Sequence, residues 1–369
     1  MSKAKNIPAL RFPEFGGEWE EKRVGNICSM RAGKFISASE IHDQYEDGLY
    51  PCYGGNGLRG YTRTYTNTGK YPLIGRQGAL CGNIKLAVGL FYATEHAVVV
   101  TAKKDIQVEW LFYQLGRLNL NQYATGQAQP GLSVEVLEKV ASITPAQPQE
   151  QQKIANFLTA VDEKLQGLKK KKALLEQYKK GVMQKIFSQE LRFKDENGND
   201  FADWEMKKLG DIGEIYQPQT ISQTDLTESG FDVYGANGII GKYSKFNHEH
   251  SQIVVTCRGN TCGTINFTNP KSWITGNAMV VNLDAATTVS KKFIFYQLVN
   301  TNFSYLITGS GQPQITGEIK KHFMKLPSSP EQAKIANLLN AIDEKINQQQ
   351  NQIEKASHYK KGLLQQMFC

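Results

Sequence analysis

Two stretches of the chain carry apolar residues at sevens. Between Gln149 and Phe187, Ile154, Val161, Leu168, Leu175 and Val182 recur in one register, with Leu158, Leu165 and Ile186 in a companion register. Between Ser329 and Cys369 the first register returns as Ile335, Ile342 and Leu363, and the second as Leu339, Ile346, Ile353 and Met367. An a/d pattern sustained over several heptads predicts a coiled coil. At 1.5 Å rise per residue each helix would be ~57 Å long. Ser329-Pro330-Glu331-Gln332 offers the second helix an N-cap, a proline at the first helical position and a capping-box partner, whereas the first helix has Pro148 alone. The seam is broken by Lys172 and Lys179 in one helix and by Gln349, Ala356 and Lys360 in the other. Gly167, Gly181 and Gly362 each cost about 1 kcal/mol in a helix interior. Neither helix would stand alone in water. Each needs a partner, either the other helix of the same chain or a second chain.

Elsewhere the pattern shortens. Tyr71-Pro-Leu-Ile74, Ala97-Val-Val-Val-Thr101 and Gln252-Ile-Val-Val-Thr256 are apolar or alternating runs bounded by glycine turns, which predicts strands. Val108 to Leu118 and Lys291 to Asn300 predict short helices packed on them. Residues 1–148 and 190–328 therefore form two α+β domains, each followed by a long helix, 149–189 and 329–369.

The halves are copies. Glu150-Gln-Gln-Lys-Ile-Ala-Asn-Phe-Leu-Thr-Ala-Val-Asp-Glu-Lys-Leu165 recurs 181 residues later as Glu331-Gln-Ala-Lys-Ile-Ala-Asn-Leu-Leu-Asn-Ala-Ile-Asp-Glu-Lys-Ile346, with 11 of 16 positions identical. The same offset relates Tyr53-Gly-Gly-Asn-Gly-Leu-Arg-Gly60 to Tyr234-Gly-Ala-Asn-Gly-Ile-Ile-Gly241, and Gly78-Ala-Leu-Cys-Gly82 to Gly259-Asn-Thr-Cys-Gly263. Tyr178-Lys-Lys-Gly181 matches Tyr359-Lys-Lys-Gly362, Leu10-Arg-Phe12 matches Leu191-Arg-Phe193, and Trp19 pairs with Trp204. A whole module is written twice in 369 residues, which makes this a duplication rather than a solenoid of short units.

Composition narrows the class. With 40% hydrophobic and 21% charged residues the chain is an ordinary globular protein, neither disordered nor collagen-like. No run approaches the ~18 apolar residues of a membrane span, and Met1-Ser2-Lys3-Ala4-Lys5 opens without a signal-peptide core. Six scattered cysteines make no disulfide scaffold, so the expected setting is a reducing cytoplasm with no membrane partner. A net charge of +8 hints at a polyanion, but it is unevenly placed. Residues 149–187 hold 9 basic against 4 acidic side chains, while residues 188–329 hold 13 against 14.

Motifs of catalysis are not met. Gly55-Asn-Gly-Leu-Arg-Gly60 has the dinucleotide spacing, but the β-branched and aromatic Tyr61-Thr-Arg-Thr-Tyr-Thr-Asn67 follows it, and the second copy places Ala236 where the first has Gly55. A glycine turn between strands is the better reading. There is no Walker lysine loop, no amino-methyltransferase Asn-Pro-Pro-aromatic string and no nuclease acid cluster. Cys257 and Cys262 lack zinc-pair spacing, His248, His250 and Cys257 have no counterpart in the first copy, and the equivalent Cys81 and Cys262 read as small fillers beside glycine. No serine sits in a G-x-S-x-G elbow.

What remains is polar chemistry around the turns. In the first copy it is Asn56, Arg59, Tyr61, Arg63, Arg76 and Gln77; in the second it is Asn237, Lys242, Tyr243, Lys245, Arg258 and Asn260. Gln127 with Gln129, and Gln312 with Gln314, form a third pair of turns. Asn, Gln and Arg read adenine and guanine edges bidentately, and Lys, Tyr and glycine-turn N–H groups suit phosphates. Lys169-Lys-Lys-Lys172 is a basic run on a helix, which reads first as a solvated face.

Two dissimilar globular domains, each followed by a helix opening Pro148-Gln-Glu-Gln-Gln-Lys-Ile-Ala155 or Pro330-Glu-Gln-Ala-Lys-Ile-Ala336 and continuing through Ala160-Val-Asp-Glu-Lys164 or Ala341-Ile-Asp-Glu-Lys345, resemble the specificity subunit of Type I restriction-modification systems. The resemblance covers the whole chain. It implies two target-recognition domains, each reading half of a split site in double-stranded DNA, and two helices paired antiparallel that set the spacer. It implies docking of two methyltransferase subunits, which bind S-adenosylmethionine and methylate adenine, and of restriction subunits using ATP and Mg²⁺. This chain itself would bind no cofactor or metal and catalyse nothing. Because the two halves differ outside their framework, the site should be non-palindromic. Because the second domain is slightly acidic and most of the positive excess lies on a helix, the chain alone should hold DNA weakly, with basic surface supplied by its partners. A duplicated coiled-coil scaffold that joins proteins without DNA is the rival reading, and it does not require polar glycine turns.

Overall fold

The computed structural model describes residues 6–78, 80–126, 130–236, 238–309 and 311–369. The chain forms two compact units, 1–169 with 351–369, and 170–350. The division runs through both long helices rather than at their ends. Each unit owns one sheet domain, the opening half of the helix that follows it, and the closing half of the other helix.

In the first unit a six-stranded mixed sheet is ordered Cys28–Ala32, Ala97–Ala102, Asn67–Gly75, Ile84–Ala93, Tyr50–Gly54, Gly57–Thr62. The fifth strand runs parallel to the fourth through Cys52↔Tyr92 and Tyr53↔Ala93, and the other pairings are antiparallel. The period-2 alternation divides the apolar runs between two faces. Ile74, Val98 and Val100 enter the main core, while Leu73, Ala97 and Val99 pack on the opposite face with Phe91. The helix Val108–Arg117 seals the main core with the fully buried Trp110, Leu111 and Leu115.

The second unit repeats this plan with one break. Its strands form a four-stranded sheet, Glu214–Tyr216, Ala278–Asn282, Ile253–Thr256, Ile265–Phe267, and a three-stranded one, Gly238–Tyr243, Phe231–Gly235, Trp273–Ile274. The parallel pairing survives as Val233↔Trp273 and Tyr234↔Ile274. What is one ten-residue strand in the first unit is here interrupted between Phe267 and Trp273, where Pro270 lacks a ladder donor and Lys271 turns with φ +52°. Lys291–Val299 covers the core with Phe293, Ile294, Tyr296 and Leu298.

The long helices are continuous, Pro148–Phe187 and Ser329–Gln366. In the first unit Ile154, Ala155 and Leu158 share a core with Leu363, Met367 and Phe368; in the second, Met183 and Ile186 share one with Ile335, Leu339 and Ile342. Helix is therefore paired with helix of the same chain, antiparallel within each unit. Leu165 and Ile353 are buried, and Val161, Leu168, Leu175, Val182 and Ile346 are half-buried. The capping box expected at Ser329 is not made. The helix begins one residue earlier, Gln332 N–H donates to the Ser328 carbonyl, and the Ser329 hydroxyl donates to the Thr288 carbonyl at 2.8 Å.

Candidate functional site

The repeated residues first build the anchors that hold each sheet domain to its helix. Glu150, at the first turn of its helix, receives Arg11 in a bidentate pair (Nε–Oε1 2.7 Å, Nη2–Oε2 2.8 Å) and the Trp19 indole N–H at 3.2 Å. Glu331 receives Arg192 at 3.2 and 2.9 Å and Trp204 at 3.1 Å. The carboxylates are buried, and bonding to them raises the pKa of both guanidinium groups. The neighbouring glutamines follow suit. Gln151 accepts from Gln107 N–H and donates to the Pro145 carbonyl; Gln332 accepts from Ser290 N–H and donates to the Pro327 carbonyl.

About three turns further on, Asp162 accepts the Tyr113 hydroxyl at 2.9 Å and pairs with Lys360 at 2.6 Å. Asp343 accepts Tyr296 at 2.8 Å and pairs with Lys179 at 2.6 Å. Each lysine also lies over the ring of that tyrosine. The acid beside them pushes both phenols upward, with burial the larger cause. From sequence the two aspartates stood only as repeats and the two lysines as breaks in the heptad seam, and Tyr113 and Tyr296 were not singled out.

At the other end of each domain the glycine turns converge, and the two units do it with the same backbone bonds. Arg76 N–H donates to His96 carbonyl at 2.8 Å, as Cys257 does to Asn277 at 3.3 Å. Thr94 to Tyr53 is repeated as Thr275 to Tyr234, both at 2.9 Å. Gly78 to Pro130 is repeated as Gly259 to Pro313, and Leu132 to Arg76 as Ile315 to Cys257. Gly78 and Gly259 both stand at φ +85°, the left-handed region where a Cβ is strained. The string Gly55 to Gly60 is the turn and second strand of a hairpin, not the opening of a helix.

The expected polar residues separate on this frame. Asn56, Arg59 and Gln77 gather with His96 around a recess of about 530 Å³. Arg258, Asn260, Gln312 and Gln314 are exposed on the matching loops, and Arg258 and Gln314 bridge through their backbones. Others are occupied. Arg76 is half-buried and donates to the Leu132 carbonyl at 3.3 Å; Lys242 pairs with Asp232. Tyr61 packs edge-on to Tyr45 and Tyr243 to Trp273. Arg63 lies apart, lining a second recess with Ile36, Ser39 and His42, and Lys245 is exposed beyond the second hairpin. Gln127, Gln129 and Asn237 lie outside the described residues. His96, whose Nε2 is 3.1 Å from Glu95, was not singled out from sequence. Aligning Ala93-Thr-Glu-His-Ala97 with Ile274-Thr-Gly-Asn-Ala278 would have found it.

Of the four residues set aside as zinc ligands, His248 and Cys257 are held in other contacts. His248 Nδ1–H donates to Asn247 Oδ1 at 2.6 Å, which leaves Nε2 to accept the Tyr216 hydroxyl at 2.9 Å, and Gln217 donates to Cys257 Sγ. Cys81 is buried and Cys262 half-buried. Among the described residues no three His, Cys, Asp or Glu side chains gather as a metal site, and no helix is long and apolar enough to cross a membrane.

A duplicated sheet domain, each copy anchored to one of two paired helices and carrying a polar loop cluster, defines a two-headed recognition protein. Residues 16–177 and 202–355 each match the Type I restriction modification DNA specificity domain, and the chain belongs to that family. It is 49% identical over 138 residues to the type I restriction enzyme EcoprrI specificity subunit of Escherichia coli, a match that takes in 37% of this chain and 34% of that one. It is 25% identical over 407 residues to the type I restriction enzyme MjaVIII specificity subunit of Methanocaldococcus jannaschii, covering 98% and 94%. Its fold is similar to the crystal structure of a type I restriction-modification S subunit from M. genitalium, with a TM-score of 0.73, 17% identity, and 98% and 99% of the two chains covered.

Proposed function

We propose that this chain is the DNA-reading specificity subunit of a Type I restriction-modification complex. Each unit reads one half of a split, asymmetric site in double-stranded DNA. The paired helices set the spacer and dock two methyltransferase subunits. Restriction subunits join the same assembly. The chain catalyses nothing and holds no cofactor; S-adenosylmethionine, ATP and Mg²⁺ belong to its partners, in the cytoplasm.

The observation that carries this reading is the loop cluster, built twice with the same backbone bonds and presenting different exposed side chains. A scaffold that only joined proteins would have no use for that arrangement. Equivalent surfaces on a duplicated chain suit the two half-sites of a duplex, with the separation fixed by protein geometry.

The test is genome-wide mapping of methylated bases in host cells with and without the chain. A bipartite motif should vanish with it. Replacing residues 1–148 by the corresponding domain of another family member should alter one half-site only, and alteration of both would refute modular reading. The spacer is tested separately. Four residues inserted after Lys169 and four before Ile353, which keeps the antiparallel pairing seen between Asp162 and Lys360, add about one helical turn, ~6 Å. The preferred spacer should lengthen with both half-sites intact; an unchanged spacer would sink the ruler.

A further inference from the structure

Internal duplication supplies a comparison that a single domain could not. Backbone bonds around the two loop clusters are the same, and the residues inside them are alike: Thr94 and Thr275 are both buried, and Gly78 and Gly259 share one conformation. Three positions on that frame, all exposed except the half-buried His96, differ completely. Arg59 corresponds to Ile240, Gln77 to Arg258, and His96 to Asn277.

The correspondence is spatial as well as sequential. A Cβ placed on Gly54 would touch Arg59 Cδ at 3.6 Å, and one placed on Gly235 would meet Ile240 Cγ2 at 2.9 Å, so both side chains lie over the same strand end. Gly55 sits against the carbonyls of Gln77 and His96, each 3.2 Å from a built Cβ, which brings the hairpin turn against both other loops. Glu95 Oε1 lies 3.1 Å from His96 Nε2 and fixes that ring's direction. By contrast, Arg76 and Lys242 already bond to the frame, through the Leu132 carbonyl and Asp232, and the rings of Tyr61 and Tyr243 pack edge-on against Tyr45 and Trp273.

Resting on the function proposed above, we infer that positions 59, 77 and 96 of the first unit, and 240, 258 and 277 of the second, choose the half-site that each unit reads. The chemistry differs accordingly. Arginine forks onto the O6 and N7 of guanine, glutamine and asparagine onto the N6 and N7 of adenine, and an aliphatic side chain packs on the methyl of thymine. The first unit offers a guanidinium, a carboxamide and an imidazole; the second offers a sec-butyl hydrocarbon, a guanidinium and a carboxamide. Two readers with one frame and two such sets would accept different bases in register. That gives the non-palindromic site a residue-level origin.

The experiment exchanges the sets in the full chain, in host cells lacking their own copy, and maps methylated bases. R59I/Q77R/H96N should change the preferred base at one or more positions of one half-site, each by roughly five- to a hundredfold. The other half-site and the spacer should stay as they were. I240R/R258Q/N277H should do the converse. An unchanged motif, or a change in both halves from one exchange, would overturn the inference. Should an exchanged chain leave too little methylation to map, its full-length form assembled with the methyltransferase subunits is equilibrated with random-sequence duplexes, and the recovered sequences are judged by the same criteria. A wild-type chain whose removal left methylation untouched would overturn the proposed function itself, whereas a normal wild-type motif that resists both exchanges would overturn only the assignment of these six positions.

Discussion

Glu150 and Glu331 each satisfy an arginine fork and an indole N–H from a segment more than a hundred residues away in sequence. Removing one partner of a buried, hydrogen-bonded ion pair costs about 3–5 kcal/mol, because the remaining charge stays buried. Glu150→Ala should therefore loosen the first unit and Glu331→Ala the second, by that amount. Hydrogen exchange resolved along the chain reads it, and equal loss in both units from either variant would contradict the anchor role. His248 gives a pH dependence. Burial holds its pKa below the ordinary 6.5, Asp284 partly opposes that and Lys291 adds to it. Such a histidine is neutral in the folded state, and its unfolded form takes up the proton first. Its contribution to stability is therefore whole above pH 6.5 and is lost as pH falls below it. His322, also lowered by burial, adds in the same direction. The second unit should melt progressively lower between pH 7 and pH 5.5, and His248→Gln should flatten part of that slope. An unchanged slope would rule His248 out as its source.

The long helices and the strands Asn67–Gly75, Ala97–Ala102 and Ile253–Thr256 were legible from periodicity, since burial on one face imposes a period on the sequence, whereas the remaining strands carried no such run. Lys179 and Lys360 looked like defects in that period. They are paired contacts instead, each reaching an aspartate on the facing helix beneath a tyrosine ring. A heptad pattern ranks residues by hydrophobicity, so it cannot see a seam position filled by a charge whose partner lies on another element. The split strand of the second unit was equally hidden, because Pro270 acts on the ladder and not on the apolar pattern around it. Among the loops, residue type alone put Arg76 and Lys242 beside Arg59 and Gln77. Only packing separates side chains that complete the frame from those that face outward, and His96 escaped notice because its meaning lies in its counterpart, Asn277.

At the scale of the molecule, charge and length turned out to carry different information. The positive excess lies mostly on the first long helix, so the second reader, with 13 basic and 14 acidic residues in 188–329, must rely on local placement. Duplication accounts for the length, and it also leaves the two units topologically unequal. Residues 170–350 are one uninterrupted segment, whereas the first unit is completed only by residues 351–369. Leu363, Met367 and Phe368 close its core, with Phe368 stacked on Trp110 and edge-on to Trp19. Ending the chain after Gly362 should abolish amide protection in the first unit and spare the second; equal loss in both would contradict this division. Synthesis runs against the numbering as a result. The unit encoded later has everything it needs once residue 350 has left the ribosome, while the unit encoded first waits, half-closed, for the tail that finishes it.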